Sequence, residues 1–123
     1  MRKLKNKSAK GKRLEKEFSL ALKNIFPSAD TELKPRIINL RKDFWGLFDG
    51  LTFIHQKKKF IFWQIKGKKI TNLEYKKFWK LAYKFSNSNI VILLIEKIGS
   101  SYKIYFDKNK SFIDKPKYLK KII

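Results

Sequence analysis

The amino-acid sequence predicts an α/β protein with a central mixed sheet flanked by helices. Apolar residues recur at helical spacing in two separate segments, and short apolar segments rich in Ile, Phe and Trp lie between and after them. The strands before the second helix are close enough along the chain to pair antiparallel. The second helix supplies the long crossover that a parallel neighbour requires.

The first helix is predicted for residues 13–26. Its apolar residues form one stripe, at Leu14, Phe18, Ala21, Leu22 and Ile25. Pro27 and Ser28 end the helix, because proline cannot continue the helical hydrogen bonding. The lysine-rich residues 1–12 are predicted as a flexible basic arm, which leaves residues 13–123 as a single domain.

Five strands are predicted, at residues 37–40, 45–54, 60–66, 89–96 and 102–106. The segment "ADTELKPR" before them is interpreted as a connection, and the last strand is expected at the edge of the sheet. The second helix is predicted for residues 71–85, with Thr71 or Asn72 as its cap. Its expected buried residues are Leu73, Phe78, Leu81, Ala82 and Phe85.

The charge of the chain points to a polyanionic partner. Lys and Arg number 31 against 10 Asp and Glu, a formal net charge of +21 at pH 7. Nucleic acid is the first candidate and an anionic membrane surface the second. There is no cysteine and only one histidine, His55, which excludes thiolate zinc sites and argues against a Ser-His triad.

Two negative features bear on location. The longest apolar run, residues 90–95, is too short to span a bilayer, and the basic N-terminal segment has no apolar stretch after it. These features predict a cytoplasmic protein without a membrane partner.

Three polar residues interrupt the apolar hairpin in residues 48–69. An unpaired carboxylate at Asp49 would be costly inside an apolar strand. Gln64 and Lys66 point to the same face of their strand because side chains alternate. They share that face with Phe60 and Phe62, so a buried strand becomes polar at its end, which is typical of a functional site.

This arrangement suits the hydrolysis of a phosphodiester with a hard divalent cation, Mg²⁺ or Mn²⁺. Asp49 can supply a carboxylate, Gln64 an amide oxygen and Ile65 its backbone carbonyl. Lys66 is expected to position the attacking water and to offset charge on the transition state. Gly67, which lacks a side chain, would let a sugar-phosphate backbone approach closely.

The pattern "FD" at residues 48–49 and "QIK" at residues 64–66 resembles the signature of the PD-(D/E)XK nuclease superfamily. The predicted element order is similar to the superfamily's restriction-endonuclease-like αβββαβ core. The opening helix "GKRLEKEFSLAL" resembles that of archaeal Holliday junction resolvases, where a glutamate at the position of Glu15 joins the metal site. The resemblance implies a DNA endonuclease that acts on branched DNA as a homodimer.

Other interpretations remain open for the same residues. Gln64 stands where the superfamily has an acid, which allows a non-catalytic nucleic-acid-binding module on a degenerate nuclease fold. Asp43 is interpreted as a further acidic ligand or as a structural residue, and Glu15 as a ligand or as an exposed helix acid. RNA is an alternative partner. A purely structural interpretation is also open for Asp49, Gln64 and Lys66, in which they form a polar strand end with a satisfied ion pair and have no catalytic role.

Basic residues near these positions are predicted to contact phosphates without reading sequence. They are Lys12, Arg13, Lys57, Lys58, Lys59, Lys68 and Lys69. The aromatic residues that are expected in the core rather than as base-stacking surfaces are Trp45, Trp63, Phe78, Trp79 and Tyr83.

Overall fold

A computed structural model of the chain describes residues 2–34, 36–37, 40–41 and 43–123. The α-helices are α1 (Arg2–Ile25) and α2 (Asn72–Ala82), and short 3₁₀ helices cover Tyr83–Phe85 and Pro116–Lys121. The strands are β1 (Ala29–Leu33), β2 (Arg36–Ile37), β3 (Leu40–Arg41), β4 (Gly50–Ile54), β5 (Lys59–Lys66), β6 (Ile90–Ile98), β7 (Ser101–Tyr105) and β8 (Phe112–Ile113).

The structure is an α/β fold with a six-stranded mixed sheet in the order β1-β4-β5-β6-β7-β8. The β5 and β6 strands are parallel and the other neighbours are antiparallel. The α2 helix lies in the connection between β5 and β6, so the predicted crossover is confirmed. The β2 and β3 strands form a separate two-stranded ladder.

Each face of the sheet packs against a different helix. On one face, Phe18 and Leu22 of α1 pack with Trp63 of β5 and with Leu119 of the last 3₁₀ helix. On the other face, Phe78 of α2 packs in a cluster with Phe48, Phe62, Ala82 and Ile92. The alternation of β5 between the two clusters confirms the predicted division of its side chains into two faces.

The first sheet strand differs from the prediction. Residues 29–33, interpreted as a connection, form β1 and pair antiparallel with β4. The predicted strand at residues 37–40 corresponds instead to parts of β2 and β3, and its Ile38 and Asn39 lie outside the described residues. The predicted start of the first helix is also wrong, because α1 begins at Arg2 and includes the segment interpreted as an arm.

The predicted strand at residues 45–54 begins only at Gly50. Phe44 and Phe48 pair across a tight turn, in which Trp45 and Gly46 have φ angles of 55° and 67°. This left-handed backbone cannot continue a strand. The turn also leaves Trp45 61% exposed, so its predicted place in the core is wrong.

Three other core or edge predictions are corrected. Leu73 and Leu81 of α2 are exposed, and Tyr75 takes the buried position on that helix instead. The β7 strand is covered by β8, so it does not form the edge of the sheet. No helix within the described ranges is long and apolar enough to cross a membrane.

Candidate functional site

Three carboxylates meet at one buried ammonium group. The Nζ atom of Lys34 lies 2.7 Å from Oδ1 of Asp49, 3.1 Å from Oδ1 of Asp43 and 3.3 Å from Oε2 of Glu15. Lys34, Glu15 and Asp49 are buried, whereas the side chain of Asp43 is 29% exposed. The group is therefore enclosed by the protein and reaches solvent on the side of Asp43.

Four separate segments bring these side chains together. Glu15 follows Leu14 on the buried face of α1, and Lys34 directly follows β1. The backbone N–H of Lys34 donates to the carbonyl of Asp49 at 2.9 Å, which continues the β1–β4 pairing by one residue. Asp43 stands just before the Phe44–Phe48 turn, and Asp49 stands just after it.

Asp49 is fixed through both of its carboxylate oxygens. Its Oδ1 atom accepts from Lys34, and its Oδ2 atom accepts from the backbone N–H of Ile65 at 2.9 Å. Its own N–H donates to the carbonyl of Trp63 at 2.8 Å. These bonds place the carboxylate beside the end of β5, where the sequence predicts the site.

The charges in this group explain why Lys34 is protonated. Burial opposes its positive charge, but the hydrogen bond and charge of Asp49, together with Glu15 and Asp43, outweigh burial and raise the pKa of Lys34 above its ordinary 10.5. Lys34 is therefore a cation at neutral pH. The formal charges of three carboxylates and one ammonium sum to about −2, within a chain of net charge +21.

Gln64 and Lys66 lie on the α2 face of the sheet, in a group of contacts separate from the carboxylates around Lys34. A cavity of about 190 Å³ is bounded by Leu47, Gln64, Lys66, Glu74, Lys77, Phe78 and Leu81. Within it, Nζ of Lys66 lies 3.1 Å from Oε2 of Glu74, and Nζ of Lys68 lies 3.6 Å from the same atom. The lysine predicted to act on a phosphate is thus held by an α2 carboxylate.

Glu74 is positioned by the start of α2. Thr71 and Glu74 form a reciprocal capping box, in which each side chain accepts from the other residue's backbone N–H at 3.1 Å. The backbone hydrogen bond from Thr71, followed by the hydrogen bond from Lys66, lowers the pKa of Glu74 from 4.5 to about 2. Glu74 is therefore anionic throughout the physiological range.

Glu96 adds a second acid on this face. It is the register partner of Lys66 on the neighbouring parallel strand and is 7% exposed. Its Oε1 atom accepts from the backbone N–H of Ile70 at 2.7 Å, which anchors the segment between β5 and α2. Glu96 thus connects β6 to the segment that leads into α2.

The structure brings some of the predicted residues together and separates others. Glu15, Asp43 and Asp49 share one centre, so the interpretation of Glu15 as an exposed acid is wrong. The described contacts of Lys66 join it to Glu74, and Ile65 contacts Asp49 through its N–H. In the part of the chain that the structure describes, no three Asp, Glu, His or Cys side chains are grouped so as to hold a metal ion.

Sequence reasoning missed Lys34, Glu74 and Glu96. Glu74 carried a usable signal, because Thr71-x-x-Glu74 before an apolar segment is a capping-box pattern. Lys34 has a weaker sequence signal, because it directly follows β1, whose own strand signal is weak. Glu96 carried none, because an acid at the end of an apolar strand is an ordinary boundary.

The predicted phosphate-contacting residues are distributed over both ends of the hairpin. Lys57 and Lys58 are exposed in the turn before β5, and Lys59 begins that strand. They lie roughly 20 Å along the strand from Lys66, at about 3.3 Å per residue. Lys68 and Lys69 are exposed at the site end, and Lys12 and Arg13 are exposed on α1 beside Glu15.

Comparison of the chain with models of known protein families, with curated proteins and with solved structures finds no match. An assignment of function therefore depends on the chain's own residues.

Proposed function

We propose that this protein is a metal-dependent DNA endonuclease with a restriction-endonuclease-like core, which cuts phosphodiester bonds in branched DNA. The supporting observation is the meeting of Glu15, Asp43 and Asp49 at a single cation position beside the end of β5. The arrangement of α1, three antiparallel strands, α2 and parallel β6 is consistent with an αβββαβ core.

The donor set has the oxygen chemistry that a hard divalent cation prefers, but among the described residues the three carboxylates are arranged around Lys34 and are not grouped so as to hold a metal ion, so binding requires them to move. Carboxylate oxygens are preferred ligands of Mg²⁺ and Mn²⁺. The formal charges of three carboxylates and one ammonium sum to about −2, which is equal and opposite to the charge of a divalent ion. Lys34 holds the same oxygens, so a metal ion competes with its ammonium group for them.

The protein's side chains have separate roles in the proposed reaction. Glu15, Asp43 and Asp49 would hold the metal ion, and Gln64 would have to reach it from the separate cavity on the α2 face. When bound, the ion polarises the scissile phosphate and lowers the pKa of a water molecule. Hydrolysis adds the water oxygen to phosphorus, breaks one bridging P–O bond, and the leaving oxygen takes up a proton.

Lys66 is proposed to stabilise the extra negative charge that forms on the phosphate during this step. Its ammonium group is partly exposed and contacts Glu74 in an open cavity, so it can exchange this carboxylate for a phosphate. Glu74 holds the ammonium group of Lys66 on the α2 face. The +21 net charge supplies the attraction that brings DNA to the site.

The direct test is DNA cleavage in Mg²⁺ or Mn²⁺ with a four-way junction and a linear duplex as substrates. Asp49→Asn keeps the size of the side chain and one acceptor oxygen but removes the charge and turns an NH₂ group towards either Lys34 or the Ile65 N–H. It is expected to lower the cleavage rate by about 100-fold or more. Lys66→Ala is expected to lower the rate similarly, while both variants still bind DNA.

The control for this experiment is Asp30→Asn, which removes a carboxylate whose side chain is 75% exposed and far from the site in the β1–β4 register. It should cleave like the unmodified protein. Equal cleavage by the Asp49 and Asp30 variants would show that Asp49 is not part of a nuclease site.

A second candidate function is a nucleic-acid-binding module that does not cleave. The observation that favours it is Lys34 itself, because a protein cation already occupies the centre of the carboxylates. The neutral Gln64 also favours a non-catalytic module, because it stands where the nuclease superfamily has an acid. DNA binding without cleavage in any divalent metal supports this function, and a gain of cleavage in Gln64→Glu would identify it as a degenerate nuclease.

The homodimer and the cytoplasmic location stay predictions. Sedimentation of the purified protein with and without a four-way junction would establish the oligomeric state.

A further inference from the structure

A second cavity lies on the outer face of α2, away from the carboxylates around Lys34. Its volume is about 340 Å³, and its lining consists of Tyr75, Lys76, Trp79, Lys80, Tyr83 and Lys108. This size is within the range of small-molecule sites, roughly 300–1,000 Å³. Every residue of the lining is either aromatic or a lysine.

The aromatic residues form a row along the helix. Tyr75, Trp79 and Tyr83 are four residues apart and therefore share one face. The rings of Tyr75 and Trp79 are 6.2 Å apart, and Tyr83 at the end of the row is 68% exposed. The expected core position of Tyr83 is thus wrong, and its ring surface is open to a partner.

The floor of the cavity is held rigidly. The buried Tyr75 donates its hydroxyl proton to the carbonyl of Asp107 and accepts from the backbone N–H of Lys110 at 2.8 Å. These bonds attach the segment between β7 and β8 to α2. They bring Lys108 over Tyr83, with its Nζ atom 5.8 Å from the ring centroid.

The charges around the row are positive. Lys76, Lys80 and Lys108 line the cavity, while the carboxylate of the neighbouring Asp107 accepts from the N–H groups of Asn109 and Ser111. An exposed ring between lysines suits a ligand with a flat aromatic part and nearby anionic groups. A nucleotide has both features.

We propose that this cavity holds an unpaired base of single-stranded nucleic acid. The base stacks on Tyr83 and Trp79, and the adjoining phosphates contact Lys76, Lys80 and Lys108. Bases within a duplex are already stacked on one another, so the site is expected to prefer single strands over duplex. The inference assumes a nucleic-acid partner but is independent of cleavage.

The test uses the fluorescence of Trp79 as the reporter. Trp45→Phe removes the exposed indole outside the cavity, and Trp63 is fully buried in the core. Titration of this variant with an oligo-dT of about ten residues is expected to quench the fluorescence, because stacked bases are the main sequence-tolerant contact of such sites. A hairpin duplex with the same number of nucleotides should bind more weakly.

Two substitutions separate stacking from charge. Tyr83→Leu is expected to weaken oligo-dT binding by roughly 5- to 100-fold, with no change in its salt dependence. Lys108→Gln is expected to reduce the slope of log affinity against log salt by about 0.7. The control is Phe112→Leu, which changes a 48% exposed ring at the β8 edge of the sheet and should bind normally.

Equal loss in the Tyr83 and Phe112 variants, or equal affinity for duplex and single strand, would overturn the inference. The same titration with oligo-rU shows whether the site prefers ribose or deoxyribose. Tighter binding of either oligonucleotide supports the site, provided that the binding depends on Tyr83. A protein that binds oligo-dT through Tyr83 but cuts no DNA retains this inference and loses the nuclease proposal. Normal oligo-dT binding by the Tyr83→Leu variant, together with Mn²⁺-dependent DNA cleavage by the unmodified protein, would overturn this inference and retain the nuclease proposal.

Discussion

Lys34 controls the chemistry of the carboxylates that surround it. Its ammonium group is within 3.3 Å of three acidic side chains, and two of these are as buried as the lysine. A buried carboxylate without a cation is costly, so the apo protein needs this lysine for stability. A bound divalent ion would fulfil the same electrostatic role.

Lys34→Met is therefore expected to destabilise the metal-free protein by about 3 kcal/mol, because it leaves buried carboxylates without their cation. If the site binds metal, Mn²⁺ at about 100 times its dissociation constant should restore roughly 2.7 kcal/mol. The measurement is urea unfolding in EDTA and in Mn²⁺. Lys16→Met, an exposed charge change on α1, serves as the control and should show neither effect.

Destabilisation of the Lys34 variant without recovery in Mn²⁺ would favour the non-catalytic alternative. Unchanged stability of that variant in EDTA would contradict the ion-pair cluster itself.

Gly50 is required by the packing of Trp63 beside the site. A Cβ atom at position 50 would overlap the six-membered ring of Trp63, whose indole N–H donates to Thr52 at 3.0 Å. Gly50→Ala is expected to lower the free energy of unfolding by about 2 kcal/mol through overpacking. Denaturant unfolding of the single and double variants with Trp63→Phe measures the coupling.

In the Trp63→Phe background the alanine should cost less, because the smaller ring removes the overlapping atoms. Additive effects of the two substitutions would show that the clash is not the cause.

The α2 helix connects local helix capping to the proposed site, because Glu74 serves both. Its carboxylate accepts from the Thr71 N–H and contacts Lys66. The folded-state pKa of about 2 lies below the ordinary 4.5, so Glu74 contributes stability that is present above pH 4.5. This contribution is lost as the pH falls from 4.5 towards 2.

Glu74→Gln keeps an acceptor for the capping box but cannot ionise. We expect the variant to be less stable than the parent at pH 7 and to have a shallower loss of stability between pH 5 and pH 2. Thermal unfolding across that pH range is the measurement. Parallel stability curves for the two proteins would show that Glu74 does not contribute to acid sensitivity.

The elements differ in how well their sequences predict them. The β5 strand and α2 are predictable because a continuous apolar segment, an apolar stripe and a cap are local signals. The β1 strand is hard to predict because two of the five residues in Ala29–Leu33 are acids, which strands disfavour, and pairing with β4 decides its structure. The Phe44–Phe48 turn was missed because a positive φ at Trp45 has no sequence signal.

For the molecule as a whole, the sequence predicted an α/β fold with a mixed sheet, and the structure has that architecture. It predicted Asp49 and Glu15 as site residues but not the buried lysine between them. Such a contact joins residues that are distant in sequence, so local patterns do not contain it. The charge excess remains the strongest whole-chain indication of a nucleic-acid partner.

The most direct measurement of the proposed metal site is a crystal structure of the protein soaked in Mn²⁺, with anomalous scattering used to locate the ion. We predict an anomalous peak bounded by oxygens of Glu15, Asp43 and Asp49, with the Lys34 ammonium displaced from its present contacts. Lys34 still bound to all three carboxylates, with no manganese beside them at saturating concentration, would contradict the endonuclease proposal.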